Sequence, residues 1–322
     1  MNPTQNQQNG ASLKHPTSDL PYHYRAYGFN LASDVPLVRL TPGTDPALDT
    51  MIVQRCGDLP EQPENATQIG PFLWCAPDYL SLDIVDVVHL VASGGKTLHY
   101  RPYPGIDDIS VQLFLMGSGL GALLMQRKLL VMHGNAVEID GACVMCVGPS
   151  GVGKSTTAAG LLQRGYRIMS DDICAIDTQN RIVPGMPHIK LWQEAAEGLG
   201  IETHDLDRVR PEMEKFGLPL KSAFCDDRVA IKTIFLLSGH HSNDITIETL
   251  KTHEKFMALR DNTYRLPFVA GMNLSALHFQ QLNMLAKDVT VKRIKRPIDG
   301  FQVGALLDVL LTDLHGQTQG QS

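Results

Sequence analysis

Gly148-Pro149-Ser150-Gly151-Val152-Gly153-Lys154-Ser155-Thr156 decides how this chain is read. The spacing is G-x-x-x-x-G-K-S, a phosphate-binding loop. A backbone wrapped round a polyphosphate must aim several consecutive N–H groups inward, and glycine permits the φ values and close approach this needs. The lysine brings a mobile positive charge, the Ser155 hydroxyl is a ligand for Mg2+, and a helix starting at the loop adds its positive end. The flanks agree. Residues 142–147 form a short apolar run, which predicts a buried strand. Residues 156–164 carry Ala158, Ala159, Leu161 and Leu162 on one face and stop at Gly165, which predicts a helix. The residues expected to hold the nucleotide are Gly148, Ser150, Gly151, Val152, Gly153, Lys154, Ser155 and Thr156.

A second signal follows the helix. Asp171 and Asp172 stand at the expected end of an apolar strand beginning at residue 166. Phosphoryl transfer needs Mg2+ beside the phosphates and a carboxylate near the acceptor hydroxyl. Adjacent strand residues point differently, so two aspartates can divide these tasks. His133 precedes a strand expected beside the loop strand. A lone histidine is more often structural than catalytic, and spacing leaves both readings open.

The rest of the chain sets the frame. It has 322 residues, 43% hydrophobic and 19% charged, with a net charge of −6. That is ordinary for a globular protein and argues against general nucleic-acid binding. The densest basic stretch, Lys292-Arg293-Ile294-Lys295-Arg296, predicts the solvated face of an edge strand. Six cysteines without framework spacing, Cys143 and Cys146 among them, predict small buried hydrophobes in a reducing cytoplasm. Residues 1–21 read as a disordered arm without signal-peptide character. Residues 22–107 read as a β-rich domain punctuated by Pro and Gly, with strands near 24–31, 51–53, 72–75, 97–101 and, in part, 35–40. The apolar run 109–125 is short and glycine-rich for a membrane span, so a buried helix is expected and no membrane partner. From residue 108 to 316, strands and helices alternate as in an α/β nucleotide-binding domain. Residues 317–322 read as a flexible tail.

Four elements in order carry a resemblance: His133-Gly134, the loop 148–156, Arg164-Gly165-Tyr166-Arg167 and Ser170-Asp171-Asp172. Together they resemble the kinase domain of the HPr serine kinase/phosphorylase family. Pro187-His188-Ile189-Lys190-Leu191-Trp192, the stretch 208–215 and Tyr27-Gly28-Phe29 look like HPr-kinase-related peptide kinases, such as those acting on lasso peptide precursors. The resemblance implies an α/β fold: a P-loop kinase domain of the HPr kinase/phosphoenolpyruvate carboxykinase type with a small β-rich N-terminal domain. It implies ATP and Mg2+, a serine acceptor on a peptide or small protein, and a homo-oligomer. By position it makes Asp172 the catalytic aspartate with His133 close by, sets Ser155 and Asp171 at the metal, and puts Lys154 on the phosphates. The family's glycine- and arginine-containing signature tied to dephosphorylation is missing after residue 184, so a kinase without phosphorylase activity is expected. Thr156 stands where many family members carry an acid.

Arg208, Arg210 and Lys215 could neutralise transferring phosphate, or simply line a charged helix face with Glu212 and Glu214. Two other functions remain compatible with the sequence. One is a nucleotide-dependent binding or switch protein; the other is a small-molecule kinase acting on a sugar or metabolite. No L-S-G-G-Q segment supports a transporter-type motor.

Overall fold

The computed structural model describes residues 20–300 and 302–319. Residues 1–19 of the expected arm and 320–322 of the expected tail lie outside them. The last helix, Val303–Gln319, extends past residue 316, where the tail was expected to begin.

Two large sheets and eight α-helices make a mixed α/β protein among the described residues. The first sheet has nine strands drawn from residues 22–102. Its alternation buries one face, with Leu31, Met51, Val53, Leu80, Leu90 and Leu98 at 2% exposure or less. Residues 35–40 form turns and no strand, contrary to the partial alternation there. Leu37 and Leu40 are buried all the same, so the apolar spacing served a packed loop.

The helix Asp108–Gln126 is the one helix among the described residues long and apolar enough to cross a bilayer. Yet 72% of its apolar window is buried inside the protein, where Leu115, Leu120, Leu123 and Leu124 join the first sheet's core. A π-helical turn at Leu115–Gly119 marks its glycines. The same core continues into Val131, Ile173, Val183 and Met186, across the expected 107/108 boundary.

The second sheet carries the loop. Its order runs Ala142–Val147, Leu130–Ile139, Arg167–Ile176, Arg181–Val183, Val229–His240, Thr290–Pro297, Thr246–Thr249. The loop strand Ala142–Val147 also pairs parallel with Val229–His240, so the first five strands close on themselves. Helices Thr252–Asp261 and Ser275–Asp288 contribute Leu259, Leu282 and Leu285 to one core cluster of this sheet. The loop helix Lys154–Gln163 and the last helix contribute Leu161 and Leu307 to another.

Three expectations are corrected. The basic strand Thr290–Pro297 is interior, because Thr246–Thr249 pairs along its outer side. Its charges are neutralised locally: Lys292 reaches Asp313, and Arg293 and Lys295 reach Glu248. Residues 208–214 form no helix; Lys215 opens a strand, Lys215–Pro219, paired with His188–Trp192. Asp171 and Asp172 sit mid-strand in the ten-residue Arg167–Ile176, not at its end.

The two halves meet through a hairpin tip. Strands Tyr22–Ala26 and Phe29–Ser33 are joined by Tyr27-Gly28, with φ of 53° and 70°. Such a two-residue turn follows the right-handed twist of its strands and is normally wet. Here Tyr27 is only 1% exposed. Its N–H donates to Pro184 O at 2.9 Å, and its hydroxyl donates to Ile173 O at 3.1 Å. The tip therefore plugs in beneath the aspartate strand.

Candidate active site

The loop leaves the end of Ala142–Val147 and enters the helix Lys154–Gln163. Gly148 has φ +142°, and a Cβ there would lie 2.6 Å from Leu237 O. Only glycine lets the loop pass that close to the neighbouring strand. Gly153, at φ +100°, makes the final turn into the helix. Three contacts hold the loop from outside it. Asn135 Nδ2 donates to Lys154 O, Thr157 Oγ1 donates to Gly153 O at 2.8 Å, and Arg296 Nε donates to Val152 O at 3.1 Å. Lys154 Nζ folds back and donates to Gly148 O at 2.8 Å and Pro149 O at 2.9 Å. Its pKa is lowered, first by burial, although Asp172 and Asp171 oppose that.

The aspartate strand pairs with Leu130–Ile139, placing Gly134 opposite Asp172 and Asn135 opposite Asp171. The register slips between Ala136 and Val137, and Asp172 takes φ +73°. That is the left-handed region, uncommon for a non-glycine residue and costly unless the surroundings enforce it. Here they do: Ser170 Oγ and Tyr27 Oη both donate to Ile173 O, the next carbonyl.

The two carboxylates have different partners. Asp171 is buried; its Oδ1 accepts from Ser155 Oγ at 2.9 Å and its Oδ2 from the Lys190 N–H at 2.9 Å. Burial and the neighbouring Asp172 push its pKa up. Asp172 Oδ2 accepts from Lys190 Nζ at 2.8 Å. Burial alone would raise this carboxyl too, but Lys190, Lys215 and His133 outweigh it and hold it below the usual range. One of the pair is thus firmly ionised beside a more reluctant one.

His133 lies inside the strand Leu130–Ile139 rather than before it. Its Nδ1 is 3.1 Å from Asp172 O and 3.7 Å from Asp172 Oδ1. A carbonyl only accepts, so Nδ1 bears the proton and Nε2 is left as an acceptor. Burial and the Lys154 charge lower its pKa, which keeps the ring neutral at pH 7.

His133, Lys154, Ser155, Asp172 and Lys190 line one cavity of 100 Å3 together with Lys215 and Trp192, while Asp171 lies behind Ser155 and outside the lining. A second, of 400 Å3, shares Gly151, Gly153, Thr156 and Trp192 with it and is also lined by Arg296, Ile298 and Leu306. All the loop residues expected to hold nucleotide except Gly148 and Val152 face one or both cavities; those two shape the loop. Of the three basic candidates, Lys215 is at the site, with Nζ 5.5 Å from the Trp192 ring centroid. Arg208 and Arg210 are elsewhere: Arg208 bonds Pro211 O, and Arg210 pairs with Glu212.

Lys190 and Arg296 are the residues sequence reasoning missed. A lysine in the apolar run His188–Trp192 was the available signal, because a buried lysine requires a partner. Arg296 carried no local signal, since only sheet order brings it to the loop.

Among the described residues, no three His, Cys, Asp or Glu side chains converge into a metal cage. Ser155 Oγ and Asp171 Oδ1 stand 2.9 Å apart. Adjacent oxygens of an octahedral Mg2+ at about 2.1 Å are separated by about 3 Å, so these two fit a cation whose other ligands come from phosphate and water.

Residues 125–202 match the HPr Serine kinase C-terminal domain family. The HPr kinase/phosphorylase of Lactobacillus acidophilus is 43% identical over 84 residues, which is 26% of this chain and 26% of that one. Its counterpart in Clostridium beijerinckii is 37% identical over 71 residues, 22% of this chain and 24% of that one. The chain thus matches about a quarter of the length of these curated relatives. The solved Hpr(Ser) kinase/phosphatase from Coxiella burnetii aligns with 59% of this chain and 93% of that one, at a TM-score of 0.33 and 13% identity. Across residues 125–202, which contain the loop, His133, both aspartates and Lys190, the chain is HPr-kinase-like.

Proposed function

We propose that this protein is an ATP- and Mg2+-dependent kinase that transfers the γ-phosphoryl group to a serine hydroxyl of a peptide or small protein. The fold would be the P-loop type that HPr kinases share with phosphoenolpyruvate carboxykinases. The observation that carries the reading is the Asp172 carboxylate. It is held ionised at one end of the phosphate loop, with Oδ2 bonded to Lys190 and Oδ1 left for an acceptor.

The loop amides and Lys154 bind the phosphates. Ser155 and Asp171 would hold Mg2+, which neutralises phosphate charge. The triphosphate's nucleoside end fits the 400 Å3 cavity, within the range of small-ligand pockets. Asp172 orients the serine hydroxyl and takes its proton. The serine oxygen bonds to the γ-phosphorus, the bond to the β–γ bridging oxygen breaks, and ADP leaves. A weak base suffices, because the transition state is loose and its demand is for positioning. Neutral His133 presents Nε2 as a further acceptor beside Asp172, and Lys215 offers positive charge in the same cavity.

The test is incubation with γ-labelled ATP, Mg2+ and candidate acceptors: serine peptides, small carrier proteins of the HPr kind and small alcohols. Labelled phosphoserine is expected. Asp172→Asn should retain ATP binding and lose transfer by roughly 10²–10⁴-fold. Hydrolysis with no acceptor labelled in any mixture would refute the kinase reading.

A further inference from the structure

Among the described residues, Lys190 alone is hydrogen-bonded to both carboxylates. It lies mid-strand in His188–Trp192, which pairs antiparallel with Lys215–Pro219. In such a ladder alternate N–H groups point away from the partner strand. The Lys190 N–H does so and donates to Asp171 Oδ2, while its side chain, 8% exposed, donates from Nζ to Asp172 Oδ2. A continuous line of hydrogen bonds therefore runs from the start of the loop helix to the acceptor side: Ser155 Oγ, Asp171, Lys190, Asp172.

We propose that Lys190 is a positioning residue that anchors Asp172 Oδ2 and so turns Oδ1 toward the acceptor hydroxyl. This rests on the kinase reading above. The geometry makes the anchor necessary. Asp172 has a second cationic neighbour in Lys215, which lines the same cavity, and a polar one in His133, 3.7 Å from Oδ1. Without Nζ, the carboxylate is free to rotate toward either, and Oδ1 leaves the acceptor. A misplacement of about 1 Å in such a group costs about 10²-fold in rate. The backbone bond to Asp171 persists in any non-proline variant, so substitution isolates the ammonium. Methionine keeps the aliphatic stem and its packing.

The experiment compares the parent, Lys190→Met, Asp172→Asn and the double variant. It measures kcat and KM with labelled ATP and ATP affinity by calorimetry, with Lys190→Gln made in parallel. Lys190→Met should lower kcat roughly 10²-fold with ATP affinity and KM unchanged. The double variant should be no slower than Asp172→Asn, since the lysine acts only through that carboxylate. Ethylammonium added to Lys190→Ala should restore part of kcat, and ethanol should not. Losses that multiply in the double variant, or a loss confined to KM, would overturn the proposal. So would a failure of both Lys190→Met and Lys190→Gln to melt cooperatively, which would make the lysine structural. Absence of transfer by the parent defeats the kinase reading and this proposal together, whereas transfer by the parent with multiplying losses defeats this proposal alone.

Discussion

Tyr27 gives the sharpest test of how the first sheet supports the site. The residue sits on a hairpin tip, yet it is 1% exposed and its hydroxyl donates to Ile173 O at 3.1 Å. Tyr27→Phe removes only that hydroxyl. The ring stays, so no cavity opens, and Ile173 O keeps the Ser170 hydroxyl as a donor. The loss is that of one buried hydrogen bond with its acceptor still satisfied, about 1 kcal/mol. Tyr27→Ala also removes the ring packed beside Gly185 and empties the space beneath the aspartate strand. Aromatic-to-alanine changes in cores cost roughly 3–5 kcal/mol. For a chain of 322 residues, that becomes a fall in melting temperature of about 1.5 °C for Phe and roughly 4–7 °C for Ala. Scanning calorimetry with both variants checks the order and the gap. Tyr27→Ala should also lower transfer more than ATP affinity, because the carbonyl it supports follows Asp172 in the chain. Equal melting of the two variants, or an alanine variant within 1 °C of the parent, would refute the claim that the tip is a packed anchor.

Two further outcomes follow from the site and its surroundings. Lys154→Met should weaken ATP binding by about 10- to 100-fold, the worth of a hydrogen bond to a charged group, read by calorimetry. Stability should also fall on acidification. Burial, Lys190 and Arg39 push the His188 pKa well down, so the folded state keeps this ring neutral while the unfolded chain protonates it below about pH 6.5. The contribution is full above that value and is lost as pH drops toward the folded pKa. His188→Leu should reduce the slope of stability against pH in that window by about one proton, measured by urea unfolding at pH 7 and pH 5.

The parts of the site legible in sequence were those written in contiguous residues. The loop needs glycines at fixed offsets, and the helix after it needs an apolar face, so 148–163 announced itself. The aspartate pair was legible because an adjacent acid pair within an apolar run is unusual. What was not legible depends on which strands become neighbours. The basic run 292–296 has the composition of an edge strand, yet the short Thr246–Thr249 covers it, and on the other side its parallel pairing with Val229–His240, itself parallel to the loop strand, brings Arg296 to the loop. The stretch 208–215 alternates charge as a helix would, but Lys215 belongs to a strand whose partner carries Lys190. The role of Lys190 has no local mark in sequence, since its carboxylate partner lies 18 residues upstream. The mid-strand kink at Asp172 leaves no mark in composition: the residue keeps its pairing with Gly134, and one of the groups that hold the carbonyl after it comes from Tyr27, remote in sequence.

Lys154, folded onto Gly148 O and Pro149 O, bears on turnover. In the proposed reaction the ammonium would leave these two carbonyls for phosphate oxygens when the donor binds and return to them when product departs, so it has a partner in both states. What the lysine adds to donor affinity is then the difference between a charge-assisted phosphate contact and two contacts to neutral carbonyls. Release is correspondingly easier than from a lysine that has no other partner to return to. Such a loop is suited to repeated cycling, in contrast to one that grips its nucleotide as a long-lived structural ligand.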